Sequence, residues 1–197
     1  MYLGTSRQQI ACAVLTLFLS PTVGYAMSGM EMPHGGHGKS TSSLSKSLGE
    51  PLNTSESEIE ITYSADGNTA IFVSGRQGSV PSPGVPYHFD IWMAHKVKGE
   101  WQAPFNLGPG IDPAVGPNIN TSAWELEPSL SDDGNAIYFT RYEPGNLSTG
   151  DLYVTQKLNG VWQPARNWNE VPELPHINTP TGEEHCPIIA SDSLIYF

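Results

Sequence analysis

The chain contains one short sequence pattern that occurs twice and then begins a third time. The copies run from Glu58 to Phe72, from Glu125 to Phe139 and from Glu183 to Phe197. Each copy has paired acidic residues, a short apolar segment, a turn built around aspartate, and a second apolar segment that includes an aromatic residue. Repetition with a period of several tens of residues is typical of propellers and stacked arrays. The pattern therefore predicts units that bury their apolar faces only against one another.

From Glu58 onward, short aromatic and β-branched segments alternate with Gly, Pro, Asn and Asp, and no segment keeps a helical period. This texture is typical of an all-β chain with many short strands. Asp66-Gly67-Asn68 and Asp133-Gly134-Asn135 are expected to form hairpin turns, because glycine readily adopts positive φ. The predicted strands are Glu58–Tyr63, Ala70–Ser74, Phe89–His95, Glu100–Pro104, Glu127–Ser131, Ala136–Arg141, Leu152–Gln156, Val161–Ala165, Cys186–Ala190 and Leu194–Phe197.

Further short motifs recur between the copies and define the repeats. Asp90-Ile91-Trp92 returns as Asp151-Leu152-Tyr153, Trp101-Gln102 returns as Trp162-Gln163, and Pro117–Thr121 returns as Pro175–Thr179. The second strands, Ala70–Val73 and Ala136–Phe139, match in their apolar character. We therefore assign repeat 1 to residues 57–124, repeat 2 to residues 125–182 and the start of repeat 3 to residues 183–197.

Taken in order, these motifs resemble the TolB-type, WD40-like β-propeller repeat of exported bacterial proteins. In the second repeat they are Glu125–Pro128, Ser131–Phe139, Asp151–Val154, Trp162–Pro164 and Ile177–Thr179. The resemblance covers residues 58–197 and implies one four-stranded blade per repeat, hence an incomplete β-propeller of about two and a half blades. Because propellers need at least about four blades to close, we expect a truncated frame. An oligomer that completes the ring is the alternative.

The first residues have the pattern of a cleaved export signal. Arg7 precedes an apolar run from Ile10 to Leu19, and small residues follow at Gly24 and Ala26. The run is too short to span a bilayer core of roughly 30 Å as a helix. We assign residues 1–26 to a signal peptide and residues 27–56, rich in Gly, Ser, Met and His, to a flexible leader. The mature protein is expected in the periplasm, with no membrane span.

A cluster of thioether and imidazole groups in the leader is the candidate metal site. It consists of Met30, Met32, His34 and His37. Thioethers are soft ligands suited to Cu(I), and imidazole binds copper and zinc. In a flexible segment these groups could converge on one ion, which predicts copper binding. The alternative is a polar leader in which they are incidental.

A second candidate for metal or nucleophile chemistry is the pair His185 and Cys186, with His176 nearby. No second ligand pair follows at zinc spacing. Cys186 also occupies the repeat position that Glu60 and Glu127 hold in the earlier copies. A strand residue without chemistry is therefore the favoured interpretation.

The acidic residues that recur in each repeat could line a channel mouth or form a glycosidase pair. A structural role is favoured, because a catalytic pair need occur only once. Asp66, Asp133 and Asp192 match the Asp-box turn of sialidases poorly, since glycine follows the first two directly. The recurrent acids are Glu58, Glu60, Glu125, Glu127, Glu183 and Glu184.

Two tryptophans at matching repeat positions, Trp101 and Trp162, are expected to pack between blades. With Trp92, Trp124 and Tyr87 they could instead form a stacking face for a sugar or a peptide. The sequence leaves both interpretations open.

The net charge of the chain and the absence of known catalytic and nucleotide-binding motifs restrict its possible functions. The formal net charge of −11 repels phosphate backbones, which argues against nucleic-acid binding. No nucleophile-elbow, phosphate-loop or dinucleotide motif is present. We therefore expect a non-enzymatic scaffold, with no catalytic residue and no required cofactor, that binds a protein or a cell-envelope component. The loops Gly78–Tyr87, Ala114–Trp124 and Tyr142–Gly150 would carry the contacts. The alternatives are the propeller part of a glycoside hydrolase or peptidase, and a periplasmic copper-handling protein.

Overall fold

The computed structural model describes residues 49–108, 119–191 and 194–197. All of them belong to one compact unit, Ser47–Phe197. Within the described ranges, no helix is long and apolar enough to cross a membrane. The predicted signal peptide, the candidate copper ligands and residues 114–118 of the second predicted loop lie outside these ranges.

Sheet 1 corresponds to repeat 1 and has five antiparallel strands. They are β1 Glu58–Tyr63, β2 Thr69–Ser74, β3 Asp90–Val97, β4 Glu100–Trp101 and β5 Phe105–Asn106. Strands β1 to β3 lie in chain order, and both β4 and β5 pair with β3. After its first residue, β2 is buried throughout. Its β-branched and aromatic side chains suit a central strand that is covered on both faces.

Sheet 2 repeats this plan, and a smaller sheet 3 follows it. Sheet 2 contains β6 Trp124–Leu130, β7 Ala136–Glu143, β8 Asn146–Leu158, β9 Val161–Trp162 and β10 Arg166–Asn167, and a short 3-10 helix follows at Trp168–Glu170. Sheet 3 contains β11 Ile188–Ser191 and β12 Leu194–Tyr196. Strands β9 and β10 both pair with β8, as β4 and β5 both pair with β3.

The prediction of an all-β chain is confirmed. Each predicted strand is present, β1 with the predicted ends Glu58–Tyr63 and the others with shifted ends. The turn glycines have the expected left-handed backbone, with φ of 67° at Gly67 and 70° at Gly134. The tight turns Lys98-Gly99 and Asn159-Gly160 have positive φ at both residues, which is the type I′ geometry of two-residue hairpins. The two-residue strands β5 and β10 were not predicted.

One predicted loop is part of a sheet instead. The sequence assigns Tyr142–Gly150 to a loop because it contains Pro144 and Gly145. In the structure β8 begins at Asn146, which pairs with Glu143 across a turn. Gly145 has φ of 78°, so the two apparent strand breakers form a tight turn and the strands continue on both sides of it. The prediction of a loop here is wrong.

The alignment of the second strands also differs from the sequence comparison. Ser64 donates its backbone N–H to Thr69 O, and Ser131 donates to Ala136 O, in the same position of each hairpin. Thr69 is therefore the counterpart of Ala136, and Ile71 is the counterpart of Tyr138. Apolar similarity alone aligned these strands one residue out of register, because both are apolar at nearly every position.

The largest buried cluster lies between sheet 1 and sheet 2. Sheet 1 and the segment after it contribute Ile71, Ile91, Met93, Leu107 and Ile119, and sheet 2 contributes Leu130, Ile137, Phe139 and Trp162. Burial of apolar surface stabilises by roughly 25 cal/mol per Å². The two sheets therefore stabilise each other. This agrees with the expectation that one repeat alone cannot bury its apolar faces.

The first strands of the two repeats differ in exposure. In β6, the side chains of Leu126, Pro128 and Leu130 are buried. At the matching positions of β1, Ile59, Ile61 and Tyr63 are 37%, 42% and 39% exposed. Sheet 1 covers β6. The corresponding side of β1 is covered only in part, by the segment around Leu52 near Ile61 and by Trp101 beside Tyr63. The difference follows from position in the array and not from residue type.

Candidate functional site

The most unusual local geometry recurs in the first strand of each sheet. Glu60 in β1, Glu127 in β6 and Cys186 just before β11 have φ of 55°, 56° and 55°. A left-handed backbone is uncommon for residues other than glycine, and it persists only where surrounding contacts hold it. In β1 and β6 the strand pairing shifts register at this point. The repeat position that the sequence assigns to Cys186 is confirmed by this shared conformation.

These three residues are joined in series by hydrogen bonds. The backbone N–H of Glu127 donates to Glu60 Oε2 at 2.6 Å. The backbone N–H of Cys186 donates to Glu127 Oε2 at 2.7 Å. We call this series the carboxylate–amide seam. It ties each sheet to the next through a charge-assisted bond, which is stronger than a bond between neutral groups.

The Glu127 carboxylate has further donors around it. Thr140 Oγ1 and Tyr142 OH lie 2.7 and 3.1 Å from Glu127 Oε2. Burial raises the pKa of Tyr142, and the nearby negative charge of Glu127 raises it further. The phenol therefore stays protonated and donates to the carboxylate. On the other side, His185 Nδ1 is 3.8 Å from Glu127 Oε1.

Glu60 has a less polar environment. The surrounding protein raises the pKa of Glu60 to about 7, the N–H of Glu127 opposes this, and the charge of Glu127 adds to it. The side chain nevertheless keeps contact with solvent, since Glu60 is exposed. An accessible carboxyl near neutral pKa at a sheet boundary can gain or lose a proton.

The seam includes one group with the spacing of metal ligands. The ligand atoms of Glu127, His185 and Cys186 all lie within 4.8 Å of one another. However, Glu127 Oε2 already accepts three hydrogen bonds. These residues therefore fit a junction between strands better than a metal centre. The third residue weighed with them, His176, is exposed and does not join the group.

A second set of recurrent acids anchors the start of each repeat. Thr54, Thr121 and Thr179 donate both backbone N–H and hydroxyl to Glu58, Glu125 and Glu184, respectively. In sheets 1 and 2 an arginine completes the arrangement: Arg76 lies 2.9 Å from Glu58 and Arg141 lies 2.9 Å from Glu125. Donors therefore occupy these carboxylates, which supports the structural role.

A third network holds the end of each complete repeat to its third strand. In repeat 1, Asn106 donates to Asp90 Oδ2 at 2.6 Å, and Asn120 bonds both Asn106 and the backbone of Ile91. In repeat 2 the same bonds join Asp151, Asn167, Asn178 and Leu152. Each of these asparagines belongs to a motif that recurs in the sequence, so their recurrence could have marked them as important. Only the fold shows that the separate motifs are in contact.

The aspartate turns are also self-contained. Asp66 accepts hydrogen bonds from Ser64 Oγ and from the backbone and side chain of Asn68. These bonds lower the pKa of Asp66 to about 2. Asp133 makes the same contacts with Ser131 and Asn135. These hydrogen bonds stabilise the two turns. The side chain of Asp192 lies outside the described residues.

The tryptophans follow the packing interpretation. Trp92, Trp124 and Trp162 are 6%, 5% and 3% exposed. Trp101 is partly buried and packs against the cluster that contains Trp92. Tyr87 lies 5.8 Å from Trp124 between ring centroids. The burial of Trp92, Trp124 and Trp162 favours packing over a stacking face at these three positions.

Two of the predicted contact segments lie side by side. A Cβ atom at Gly145, in the turn between β7 and β8, would come within 3.3 Å of Val85 Cγ1. Val85 belongs to the loop Gly78–Tyr87. Leu147, just after the turn, is 47% exposed. We call Gly78–Tyr87 together with the hairpin Glu143–Thr149 the loop surface. It is the candidate binding surface that the structure brings together.

Comparisons with known proteins add no family assignment. No family model matches the chain, and no curated protein matches it. The function must therefore be inferred from the fold and its contacts.

Proposed function

We propose that this chain is an exported, non-enzymatic segment of a TolB-like β-propeller, with two blades and the start of a third. In each of the two blades, two short strands share the fourth strand position, since β4 and β5 both pair with β3 and β9 and β10 both pair with β8. We propose further that it binds a protein or a cell-envelope component in the periplasm. Sheets 1 and 2 are the complete blades in this proposal, and sheet 3 is the incomplete one. The export signal is the segment 1–26.

The repeated connections between sheets support the propeller assignment. The first strands β1, β6 and β11 are neighbours in space, and the seam joins them in that order. A propeller arranges its blades around an axis with the first strands innermost. Units that pack side by side through their first strands fit that arrangement.

The binding role is supported by one observation, the contact between Val85 and the Gly145 turn. It brings two separate segments of the chain into a common surface beside rigid sheets. Loops held on a rigid scaffold commonly carry recognition. The carboxylates that could have served catalysis are instead bonded within the fold, which favours binding over turnover.

A site-specific photo-crosslinker tests the binding surface. It would be placed at Leu147, which is 47% exposed on the loop surface, or at Leu158, which is 56% exposed at the other end of the same strand. After irradiation with an envelope fraction, we expect discrete adducts from position 147 and none from position 158. Equal adducts from both positions, or none from either, would count against the loop surface. Turnover of chromogenic glycosides or peptides by the purified chain would contradict the non-enzymatic proposal.

A further inference from the structure

The turn between β8 and β9 contains the one Asn-Gly dipeptide of the chain, Asn159-Gly160. Both residues are exposed, and their φ angles of 51° and 82° are those of a two-residue type I′ turn. An asparagine followed by glycine closes a cyclic imide more readily than other asparagines do. Glycine has no Cβ atom that would hinder the approach of its own nitrogen to the asparagine side chain. This turn is therefore a candidate site of covalent modification.

Neither of the two reacting groups is held by the fold. In the part of the chain that the structure describes, the side-chain amide of Asn159 makes no hydrogen bond, and the N–H of Gly160 has no backbone acceptor. The ladder of the hairpin pairs Leu158 with Val161 and leaves both turn residues outside it. The nucleophilic nitrogen and the side-chain carbonyl carbon are therefore both free to react.

The Asp-Gly turns that join the first two strands of sheets 1 and 2 are protected from the same reaction. The N–H of Gly67 donates to Ser64 O, and that of Gly134 donates to Ser131 O, each at 2.9 Å. Hydrogen bonds within the turn, led by the one from the Ser64 hydroxyl, lower the pKa of Asp66 to about 2. An ionised carboxylate has no leaving group comparable to ammonia, so the aspartate turns are stable where the asparagine turn is not.

Other asparagines differ from Asn159 in two respects. Their side chains take part in hydrogen bonds, and the next residue carries a Cβ atom. This holds for Asn68, Asn106, Asn120, Asn135, Asn167 and Asn178. Exposure, an unbonded amide and a following glycine therefore coincide at Asn159.

We propose that Asn159 is a site of spontaneous deamidation and isomerisation, with water as the co-reactant. The backbone nitrogen of Gly160 bonds to Asn159 Cγ, the proton of that nitrogen leaves with the side-chain NH₂ group, and ammonia is released. Water then opens the cyclic imide at either of its carbonyl carbons. Opening at the side-chain carbonyl gives aspartate. Opening at the main-chain carbonyl gives isoaspartate, in which the chain continues through the former side chain.

The isoaspartyl product changes the backbone of the hairpin and not only its charge. It adds one main-chain carbon to a turn whose flanking residues pair directly, Leu158 with Val161 and Lys157 with Trp162. The present register cannot close over a longer turn. Trp162 is 3% exposed and belongs to the buried cluster between sheet 1 and sheet 2. Isoaspartate therefore loosens β9 and the packing of Trp162, whereas aspartate at the same position leaves the turn length unchanged.

Peptide mapping by mass spectrometry tests the chemistry on the folded protein. After storage in mildly alkaline buffer made with heavy-oxygen water, we expect the peptide that contains Asn159 to replace an amino group by a hydroxyl group that carries solvent oxygen. The product should separate into aspartyl and isoaspartyl forms. Peptides that contain Asn68 and Asn135 should stay unaltered. The proposal is overturned if the Asn159 peptide persists while a synthetic peptide of residues 155–165 deamidates under the same conditions, or if all three asparagines react equally.

Two variants test the role of the dipeptide in its turn. Lys98→Asn places asparagine before Gly99 in the matching turn of sheet 1, where both residues are exposed and have φ of 54° and 87°. We expect this variant to acquire a second reactive position. Asn159→Gln should not react at position 159, because the longer side chain would have to close a larger ring. A Lys98→Asn protein that is stable at position 98, or a reactive Asn159→Gln protein, would contradict the mechanism.

Amide hydrogen exchange measures the structural consequence. The isoaspartyl protein, separated from unaltered protein by chromatography, should exchange the amides of Val161–Trp162 faster than fresh protein does. Asn159→Gln stored in the same way controls for ageing elsewhere, and freshly purified Asn159→Asp controls for the added charge. We expect neither control to exchange faster, and unchanged exchange in the isoaspartyl protein would overturn the loosening of β9. The turn lies at the opposite end of β8 from Leu147, so this result is independent of the loop surface.

Discussion

Glu60 and Glu127 lie 67 residues apart in the chain and are joined by a 2.6 Å hydrogen bond from the backbone of one to the carboxylate of the other. The donor and the acceptor occupy the same position in successive repeats, and both residues have a left-handed backbone. The unusual conformation of Glu127 therefore presents its N–H to the preceding sheet and its carboxylate to the following one. One strained residue makes both connections.

Removing the Glu60 carboxylate should weaken the contact between sheet 1 and sheet 2. We expect Glu60→Ala to lower the free energy of unfolding by about 1–3 kcal/mol, because the N–H of Glu127 loses its acceptor. Glu60→Gln should cost less, since its amide oxygen can still accept. Urea denaturation measures both effects. Glu173→Ala, at an exposed position, is the control, and an equal loss in that variant would show that the seam is not the cause.

The two tight turns allow a reciprocal exchange. Lys98 has φ of 54° and Asn159 has φ of 51° at the same position of matching turns. Asparagine tolerates a left-handed backbone better than lysine does. We expect Lys98→Asn to raise the free energy of unfolding by about 0.5–1 kcal/mol and Asn159→Lys to lower it by a similar amount. Thermal unfolding of the two variants gives the comparison, and shifts of the same sign would contradict the explanation.

Acidification should stabilise the fold over part of the pH range. Burial raises the pKa of Asp90 to about 6, although Asn106 and the N–H of Val80 oppose it. In the described ranges Asp90 Oδ1 has no hydrogen-bond partner, so the ionised form leaves a buried charged oxygen unsatisfied. A carboxyl group whose pKa is higher in the folded than in the unfolded state lowers the stability of the fold when it is ionised. Stability should therefore rise as the pH falls from above 6 towards the unfolded value of about 4.

Thermal unfolding between about pH 8 and pH 4.5 measures this gain. Asp90→Asn removes one titrating group and should reduce the slope of the profile, while Glu60, whose pKa is also raised, continues to contribute. Asp151→Asn, at the matching position of repeat 2, is the control and should have a smaller effect, because Asp151 is only partly buried. A profile with the same slope in Asp90→Asn and the unaltered protein would exclude Asp90 as the source.

The leader carries a separate prediction. Titration with Cu(I) against a competing chelator should show binding that disappears when Met30 and Met32 become leucine and His34 and His37 become alanine. His176→Ala changes an exposed histidine outside the leader and should leave binding intact. Unchanged affinity in the fourfold variant would end the copper hypothesis.

The sequence predicts the strands well because short apolar segments and Gly-containing turns are local signals. Asp66-Gly67-Asn68 is an example, since its own hydrogen bonds close the turn. Pro144 and Gly145 led to a wrong prediction, because the same residue types occur both in long loops and in tight turns between paired strands. Only the pairing of Glu143 with Asn146 shows that they form a tight turn here.

The candidate site was less predictable. Nothing in the residues Glu60 and Glu127 indicates a positive φ, because that conformation depends on contacts with a distant repeat. The cleft between sheet 2 and sheet 3, which is lined by Tyr138, Trp168, Ile189 and Ile195, could not be predicted from the sequence either. It depends on which side of β7 Tyr138 faces, and the sequence alignment placed Tyr138 one position away from its true counterpart. Recurrence did predict correctly that Cys186 shares the position of the two glutamates.

The seam also gives the array a direction. Each carboxylate reaches forward to the amide of the following sheet, so the first and last members of the series have different chemistry. Cys186 donates its N–H to Glu127 but has no carboxylate to offer. Exchanging the order of repeats 2 and 3 would therefore interrupt the series at Cys186, whose side chain cannot accept the next amide as a carboxylate does. The hydrogen bonds of the seam thus depend on the order of the repeats.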